Sequence, residues 1–475
     1  MKKIKSLIIF AVLATATFAD LPLPLQPNIR RTDARDSVFG LNFQSDSPFL
    51  QAQNLRFRMR TDLVFSENNE QRVILYFNDS IGNDKLQVIF GGFFDNRAIH
   101  GKTIDWIKPG RTTYGIAYDT LPRSSFDLYR ALVRFTPNEF ITIGLGKDYF
   151  NWGPAELGGL MLSDYNMGFT GLYQRYQIGP FTIRGFSTQL NSSPSDGSSW
   201  RNIGNDVMPI NRFLSVGRVE YYRDLWGISI NQAMLYGGQT RSFEIPYLIP
   251  FFPFHYAQIA NWRYGNNGDN SFGGLDAYVN LFDKKLQIYG ELLVDDFQQG
   301  ETEDSRNIQN LTGFTAGARF DIPNIIYGFV EAGQINSFVF NHVGGYSMKY
   351  LNKDAFIGSP LGPDNQLYWG QIGRLWDRIG LRTEFFFWLL RQGERDINLD
   401  YDFAYLIGTR HDNIPFGDVR RETAAWISAT YEFKQNSISA FAGIQNTRIE
   451  GISETSNTTP FFGLTLNAAI GFGWR

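Results

Sequence analysis

The sequence predicts an all-β chain closed into a transmembrane antiparallel barrel of about eighteen strands, with about sixteen as the alternative. Three observations carry that prediction. Segments of about ten residues that alternate apolar and polar positions recur along the whole chain. The links between them alternate in length, short then long. No segment offers the ~18 uninterrupted apolar residues that a membrane helix needs.

The first nineteen residues read as a secretory signal peptide, with Lys2, Lys3 and Lys5 before an apolar stretch from Leu7 to Leu13 and the small-residue signal Thr17-Phe18-Ala19. Residues 20–53 read as an N-terminal periplasmic segment: "DLPLPLQP" is extended and proline-spaced, and "RRTDARDSVFG" suits a short helix or plug, or a loose leader. The barrel then occupies 54–475. In "LRFRMRTDLVF", Leu55, Phe57, Met59, Leu63 and Phe65 share one face, against Arg56, Arg58, Arg60 and Asp62 on the other. In "YRALVRF", Arg130 and Arg134 oppose Tyr129, Ala131, Val133 and Phe135. A soluble sheet alternates in the same way, so the links decide.

Short links fall at 136–139, 178–180, 222–226, 282–285, 321–324 and 433–437. Long ones fall at 148–168, 191–211, 236–270, 295–312, 336–379, 408–422 and 448–459. Short periplasmic turns and long extracellular loops are the habit of outer-membrane barrels, whereas a β-sandwich has no reason to sort its loops. From residue 126 onward this passes about fifteen strands, of which 398–407 is the weakest. Four candidates precede it, at 54–66, 72–79, 86–94 and 111–118; with both ends periplasmic the total is even, so either only three of them belong in the wall or one of the later assignments is wrong. "PFFGLTLNAAIGFGWR" supplies the closing strand: Phe462, Leu464, Leu466, Ala468, Ile470, Phe472 and Trp474 face lipid, and Gly463, Thr465, Asn467 and Gly471 face the lumen. Its late aromatic is the residue type that barrel-assembly machinery looks for.

Composition agrees. Aromatics make up 16% and charged residues 19%, with 47 glycines; no cysteine is present, so disulfides do not hold this exported chain. The balance of 44 basic to 47 acidic side chains gives nucleic acid no electrostatic footprint.

"GKDYFNWGPAELGGLMLSD" (146–164), "IPYLIPFFPFHYAQ" (245–258), "DNSFGGLDAYV" (269–279), "LQIYGELLVDDFQ" (286–298) and "GSPLGPDNQLYW" (358–369) resemble, in this order, the Wzi-type capsule-assembly family of outer-membrane proteins. The resemblance implies an eighteen-stranded barrel, a periplasmic helical element, and a lectin-like role that holds secreted polysaccharide at the cell surface.

Sugars are held by flat aromatic rings and planar polar side chains. Three clusters in long links offer both: Asp148, Asn151 and Trp152; Trp262, Arg263 and Asn266; and Asp364, Asn365 and Trp369. Aromatics at strand ends also form interfacial girdles, and Gly-Pro-Asn runs also simply turn, as "GPAELGG" and "LGPDN" do more naturally than they cradle a ligand. Lumen-facing Arg56, Arg58, Arg60, Arg130 and Arg134 suit either anionic sugars or pairing with lumen acids. The expected partners are therefore polysaccharide, outer-membrane lipid and, during biogenesis, the assembly machinery, with a monomeric protein and no nucleic acid. Neither a cofactor nor a metal is expected: the acids from Asp295 to Asp304 lack calcium-loop spacing. Nor is an enzyme expected, since His100, His255, His342 and His411 sit in no nucleophile or metal pattern. The alternative function is a diffusion porin, which shares the architecture.

Overall fold

The alternating segments pair into one sheet that closes on itself. The computed structural model describes residues 56–65, 70–95, 125–164, 168–194, 209–263, 269–296, 309–342, 345–352, 355–397, 399, 409, 412–433, 436–450 and 456–471. The N-terminal expectations, for 1–19 and 20–53, lie outside them, as do Phe472 and Trp474.

Among the described residues, eighteen long strands make the wall. They are β1 (Arg56–Phe65), β2 (Glu70–Gly82), β3 (Leu86–Asp95), β4 (Ser125–Asn138), β5 (Ile141–Asp148), β6 (Phe169–Ile178) and β7 (Phe181–Gln189). After the two-residue β8 (Ser193–Pro194) come β9 (Pro209–Tyr222), β10 (Trp226–Gly238), β11 (Asp269–Leu281), β12 (Leu286–Asp296), β13 (Leu311–Ile322) and β14 (Ile326–Ile335). After β15 (Leu351–Asn352) and β16 (Ala355–Phe356), which pair with each other inside a link, come β17 (Asn365–Trp376), β18 (Leu381–Gln392), β19 (Val419–Phe433), β20 (Asn436–Glu450) and β21 (Ser456–Gly471). Successive wall strands pair antiparallel. β21 returns to β1, with Phe462 opposite Phe65 and Gly471 opposite Arg56. No sheet edge is left, which is what lets strands cross lipid. Among the described residues no helix is long and apolar enough to cross a membrane.

The strand count matches the sequence expectation, but two assignments exchange. β17 lies inside the stretch 336–379 that reads as one long link; a tight turn at Asp377–Ile379 joins it to β18. Conversely, β18 pairs directly with β19, which leaves no place in the wall between them for the expected strand at 398–407, a stretch that apart from Leu399 lies outside the described residues. β17 escapes a pattern reading because both its faces carry apolar side chains: Tyr368 and Ile372 point outward, and Leu367 and Trp369 point into a filled lumen. Likewise β3 pairs directly with β4, and the candidate at 111–118 lies outside the described residues.

The outward face is apolar, with Leu145, Ile230, Ile427, Phe462 and Leu464 exposed. Phe462 and Leu464 thus take the lipid face expected of the closing strand. Exposed aromatics gather at the short-turn end: Phe140, Phe181, Trp226, Phe282, Trp376, Tyr431 and Phe433. This is an interfacial girdle, and it marks the periplasmic rim.

The long link after β10 does not stand up from the barrel. Two helices, Ile245–Leu248 and Phe254–Arg263, lie against the outside of the wall over β6 to β10. Pro250 fits the space left by Gly185 and Gly217, where any Cβ would collide with it. Outward-facing Gln232 donates to the carbonyls of Pro250 (3.1 Å) and Phe252 (2.7 Å) and accepts from Phe254 N (2.9 Å). Gln174 donates to Leu248 O (3.0 Å). These amides are polar residues on an otherwise apolar face, and the covering link satisfies them.

Candidate functional site: the filled extracellular half of the barrel

Two long links fold into the lumen rather than outward. Phe150, Trp152, Leu160, Met161 and Leu162 from the link after β5 pack with Phe338, Phe340, Tyr350, Phe356 and Ile357 from the link after β14. Together they meet Tyr173, Phe186, Leu214 and Val216 on the inner wall. Trp152 pairs with Leu162 in an isolated bridge, and Ser163 N donates to Ile357 O (2.9 Å), so the links bind each other as well as the wall. Gly358 lies so close to Leu160 O that a Cβ there would collide with it.

Single carboxylates hold these links. Glu291, on β12, accepts from the backbone of Ala155 (2.7 Å) and Leu160 (2.8 Å). Glu331, on β14, accepts from Glu156 N (2.7 Å), Leu157 N (3.4 Å), Tyr289 OH (2.8 Å) and Trp369 Nε1 (2.8 Å). Arg319 spans the pair, donating to Glu156 (2.5 Å) and to Pro154 O (3.1 Å). "GPAELGG" is therefore a cradle after all, but for the protein's own acids. Gly153, at φ +132°, leaves no room for a Cβ against the Glu291 carboxylate.

Asp364 is the third such anchor. It accepts from Ser337 Oγ (2.9 Å), Arg395 N (2.9 Å) and Phe416 N (3.1 Å), joining its own link, between β14 and β17, to the link between β18 and β19 at two points. Burial raises its carboxyl above the ordinary carboxylate range, against the lowering effect of these donors. Asp269, at the top of β11, is the fourth, taking Tyr247 OH (2.7 Å), Asn261 Nδ2 (3.0 Å) and Arg241. It pins the outer helical link at the extracellular end. Arg212, fully buried on β9, donates to the carbonyls of Ser347 (2.9 Å), Lys349 (2.7 Å) and Leu351 (2.9 Å) and so clamps the inner link to the wall.

Most residues nominated from sequence are part of this construction. Asp148 is buried and accepts from Arg130 Nε (2.7 Å) and Tyr149 N (2.8 Å). Asn151 accepts from Gly159 N (2.7 Å). Trp152 and Trp369 are each 2% exposed, inside the barrel rather than on outer loops or in the girdle. Asn365 is buried and donates to Gly362 O (2.6 Å). Asp364 lies in the long link before β17, but the placement of Asn365 and Trp369 in an outer loop is corrected: β17 begins at Asn365 and carries Trp369 on its lumen face. Arg263 is exposed at the end of its helix. Trp262 shares that helix, but its side chain lies outside the described ones, as does Asn266 entirely. Arg130 and Arg134 face the lumen as expected, paired with Asp148 and Gln87. Arg56, Arg58 and Arg60 lie on β1 with side chains outside the described ones.

A second inward cluster fills the wall opposite, where Trp369 packs edge-on to Phe329 and Trp388 and Phe386 stacks on Trp426. Nearer the periplasm the lumen is charged. Arg218 bridges Glu220 (2.6 Å) and Asp276 (2.7 Å), Arg184 reaches Glu220 (2.9 Å), and Ser229 and Asn231 complete Asp276. The sequence offered little signal for Glu291, Glu331 or Arg212: each is a lone polar residue in an alternating strand, which reads as lumen lining.

A closed eighteen-strand wall, an apolar outer band and an aromatic periplasmic rim define an outer-membrane β-barrel of the Gram-negative type. Among solved structures, the chain is similar to Wzi of Escherichia coli, described as an outer membrane protein involved in group 1 capsule assembly and a carbohydrate-binding β-barrel. That likeness has a TM-score of 0.56 at 14% identity, over 89% of this chain and 85% of that one. It is also similar to Pseudomonas aeruginosa OccD3 (OpdP), with a TM-score of 0.47 at 10% identity over 90% and 93% of the two chains. At such identities the likeness is one of fold. No family model and no curated protein matches the sequence.

Proposed function

We propose that the protein is a lectin-like outer-membrane barrel that binds surface or capsular polysaccharide and helps to attach it at the cell surface, as a Wzi-type protein. The observation that carries this reading is the filled lumen. Two links bury their apolar side chains in the extracellular half of the barrel, held by Glu291, Glu331, Asp364 and Arg212. A diffusion channel needs that volume empty; a binding surface gains from having it solid, because the mouth is then preorganised. The same fold in Wzi of Escherichia coli is described as carbohydrate-binding.

Within this reading, Trp262, Arg263 and Asn266 contact the polymer from the extracellular end of the outer helical link. Asp148, Asn151, Trp152, Asp364, Asn365 and Trp369 act at one remove, by holding the links that form the mouth. The test is a titration of purified barrel in detergent with polysaccharide isolated from the surface of the producing cells. Replacing Trp262, Arg263 and Asn266 together with Ala should weaken binding by one to two decades, taking a lost stacking ring as about 1–3 kcal/mol. Wild-type protein that ignores the polymer sinks the reading. Unchanged binding by the variant moves the contact elsewhere on the mouth.

A further inference from the structure

Three arginines meet on the outward face of the wall. Arg391 on β18 stands directly opposite Arg421 on β19, and Arg421 directly opposite Arg448 on β20. Their faces are the lipid faces: six residues further down the first two strands, the same sides carry exposed Phe385 and Ile427, and four residues down β20, Ile444. Like charges opposite one another across strands destabilise a sheet, so a row of three calls for counter-charge. Among the described residues it has one carboxylate. Glu450 lies 3.1 Å from Arg391, 3.7 Å from Arg421 and 3.6 Å from Arg448. Arg391 also donates to Gln366 (2.7 Å), which donates to Gln334 (2.8 Å), extending the belt along the rim. The three guanidinium side chains remain 33%, 36% and 46% exposed.

Height identifies what they face. Arg421 lies ten residues up β19 from Tyr431 of the periplasmic girdle. That is about 33 Å along the strand and, at a tilt of about 40°, about 25 Å along the membrane normal. The apolar band of such barrels is about 25 Å tall. One girdle-to-girdle height therefore puts the row among the headgroups of the outer leaflet, where its two uncompensated charges meet lipid.

We propose that Arg391, Arg421 and Arg448 form a binding site for the phosphate groups of an anionic lipid in the outer leaflet. Planar guanidinium forks match phosphate oxygens bidentately, and a row across three strands presents several forks to one headgroup. Glu450 spaces the arginines and tunes the affinity downward.

The test uses the full protein in a neutral detergent, with bound lipid counted by native mass spectrometry. The probes are bisphosphorylated lipid A, its monophosphorylated form, and inorganic phosphate. Wild type should retain lipid A, retain the monophosphorylated form less well, and not release lipid A to millimolar inorganic phosphate. The triple variant Arg391→Gln, Arg421→Gln, Arg448→Gln should bind lipid A at least tenfold more weakly. Glu450→Gln should bind it several-fold more tightly, and Arg374→Gln, at the periplasmic rim, should leave it unchanged. Undiminished lipid A binding by the triple variant overturns the proposal. So does displacement by inorganic phosphate, which assigns the row to a free anion. Loss of polysaccharide binding with lipid A binding intact assigns it to the polymer and also overturns the proposal. Should the triple variant not assemble, Glu450→Gln decides: no tightening counts against the site.

Discussion

Replacing Glu331 with Ala should open the lumen. In the closed barrel this carboxylate accepts three hydrogen bonds of 2.7–2.8 Å, from Glu156 N, Tyr289 OH and Trp369 Nε1, and a longer one from Leu157 N. Tyr289 and Trp369 belong to the wall and keep these partners whether the link is in or out, so only the bonds from Glu156 N and Leu157 N tie the link; a bond to a charged group is worth about 1.5–3 kcal/mol net, and with the second one long their joint loss comes to about 3 kcal/mol. When the link leaves the lumen, its freed backbone donors meet water, so the closed state alone bears the loss. About 3 kcal/mol is roughly two decades in the open-to-closed ratio. The assay is conductance of the purified protein in a planar bilayer. Wild type should be silent or open only rarely, and Glu331→Ala should show frequent openings, with Glu331→Gln between them. If the Ala variant assembles normally and stays as silent as wild type, the carboxylate does not hold the link. If wild type already conducts steadily, the filled lumen is not a seal.

Gly153→Ala should act like Glu331→Ala through the partner acid, because its Cβ collides with the Glu291 carboxylate at a backbone angle that Ala avoids; cleavage of the link 149–164 by added protease should rise tenfold or more. Arg212→Ala strips three carbonyls of a buried donor and should cost about 3 kcal/mol locally, read as faster hydrogen exchange at 345–352 while the wall strands stay protected. Phe462→Arg on the lipid face of β21, beside Ala442 and Phe65 near mid-membrane, should cost about 2–4 kcal/mol and lower the yield of heat-modifiable folded barrel. The same change at Asn457, exposed at the extracellular end of that strand, should leave the yield near wild type.

Much of the wall was legible in the sequence because alternation and link length are local signals. Arg130 and Arg134 read as lumen-facing and are; Phe462 and Leu464 read as lipid-facing and are. β17 was not legible, because Leu367 and Trp369 look inward at apolar links rather than at water, and alternation fails wherever the lumen is filled. The same long-range fact hid the role of the nominated residues. "GKDYFNWGPAELGGLMLSD" reads as a sugar-binding loop by its ring-plus-amide content. Its inward course follows from Glu291 and Glu331, more than 130 positions away along the chain. The arginine row was invisible for a related reason: Arg391, Arg421 and Arg448 become neighbours only through strand register.

The most direct test of a surface-attachment role is retention of polymer by living cells. Cells of the producing strain lacking this protein should make as much surface polysaccharide as before but shed most of it into the medium, and wild-type protein should restore retention. Full retention without the protein, together with slowed uptake of a small solute, would contradict the account and identify the barrel as a channel.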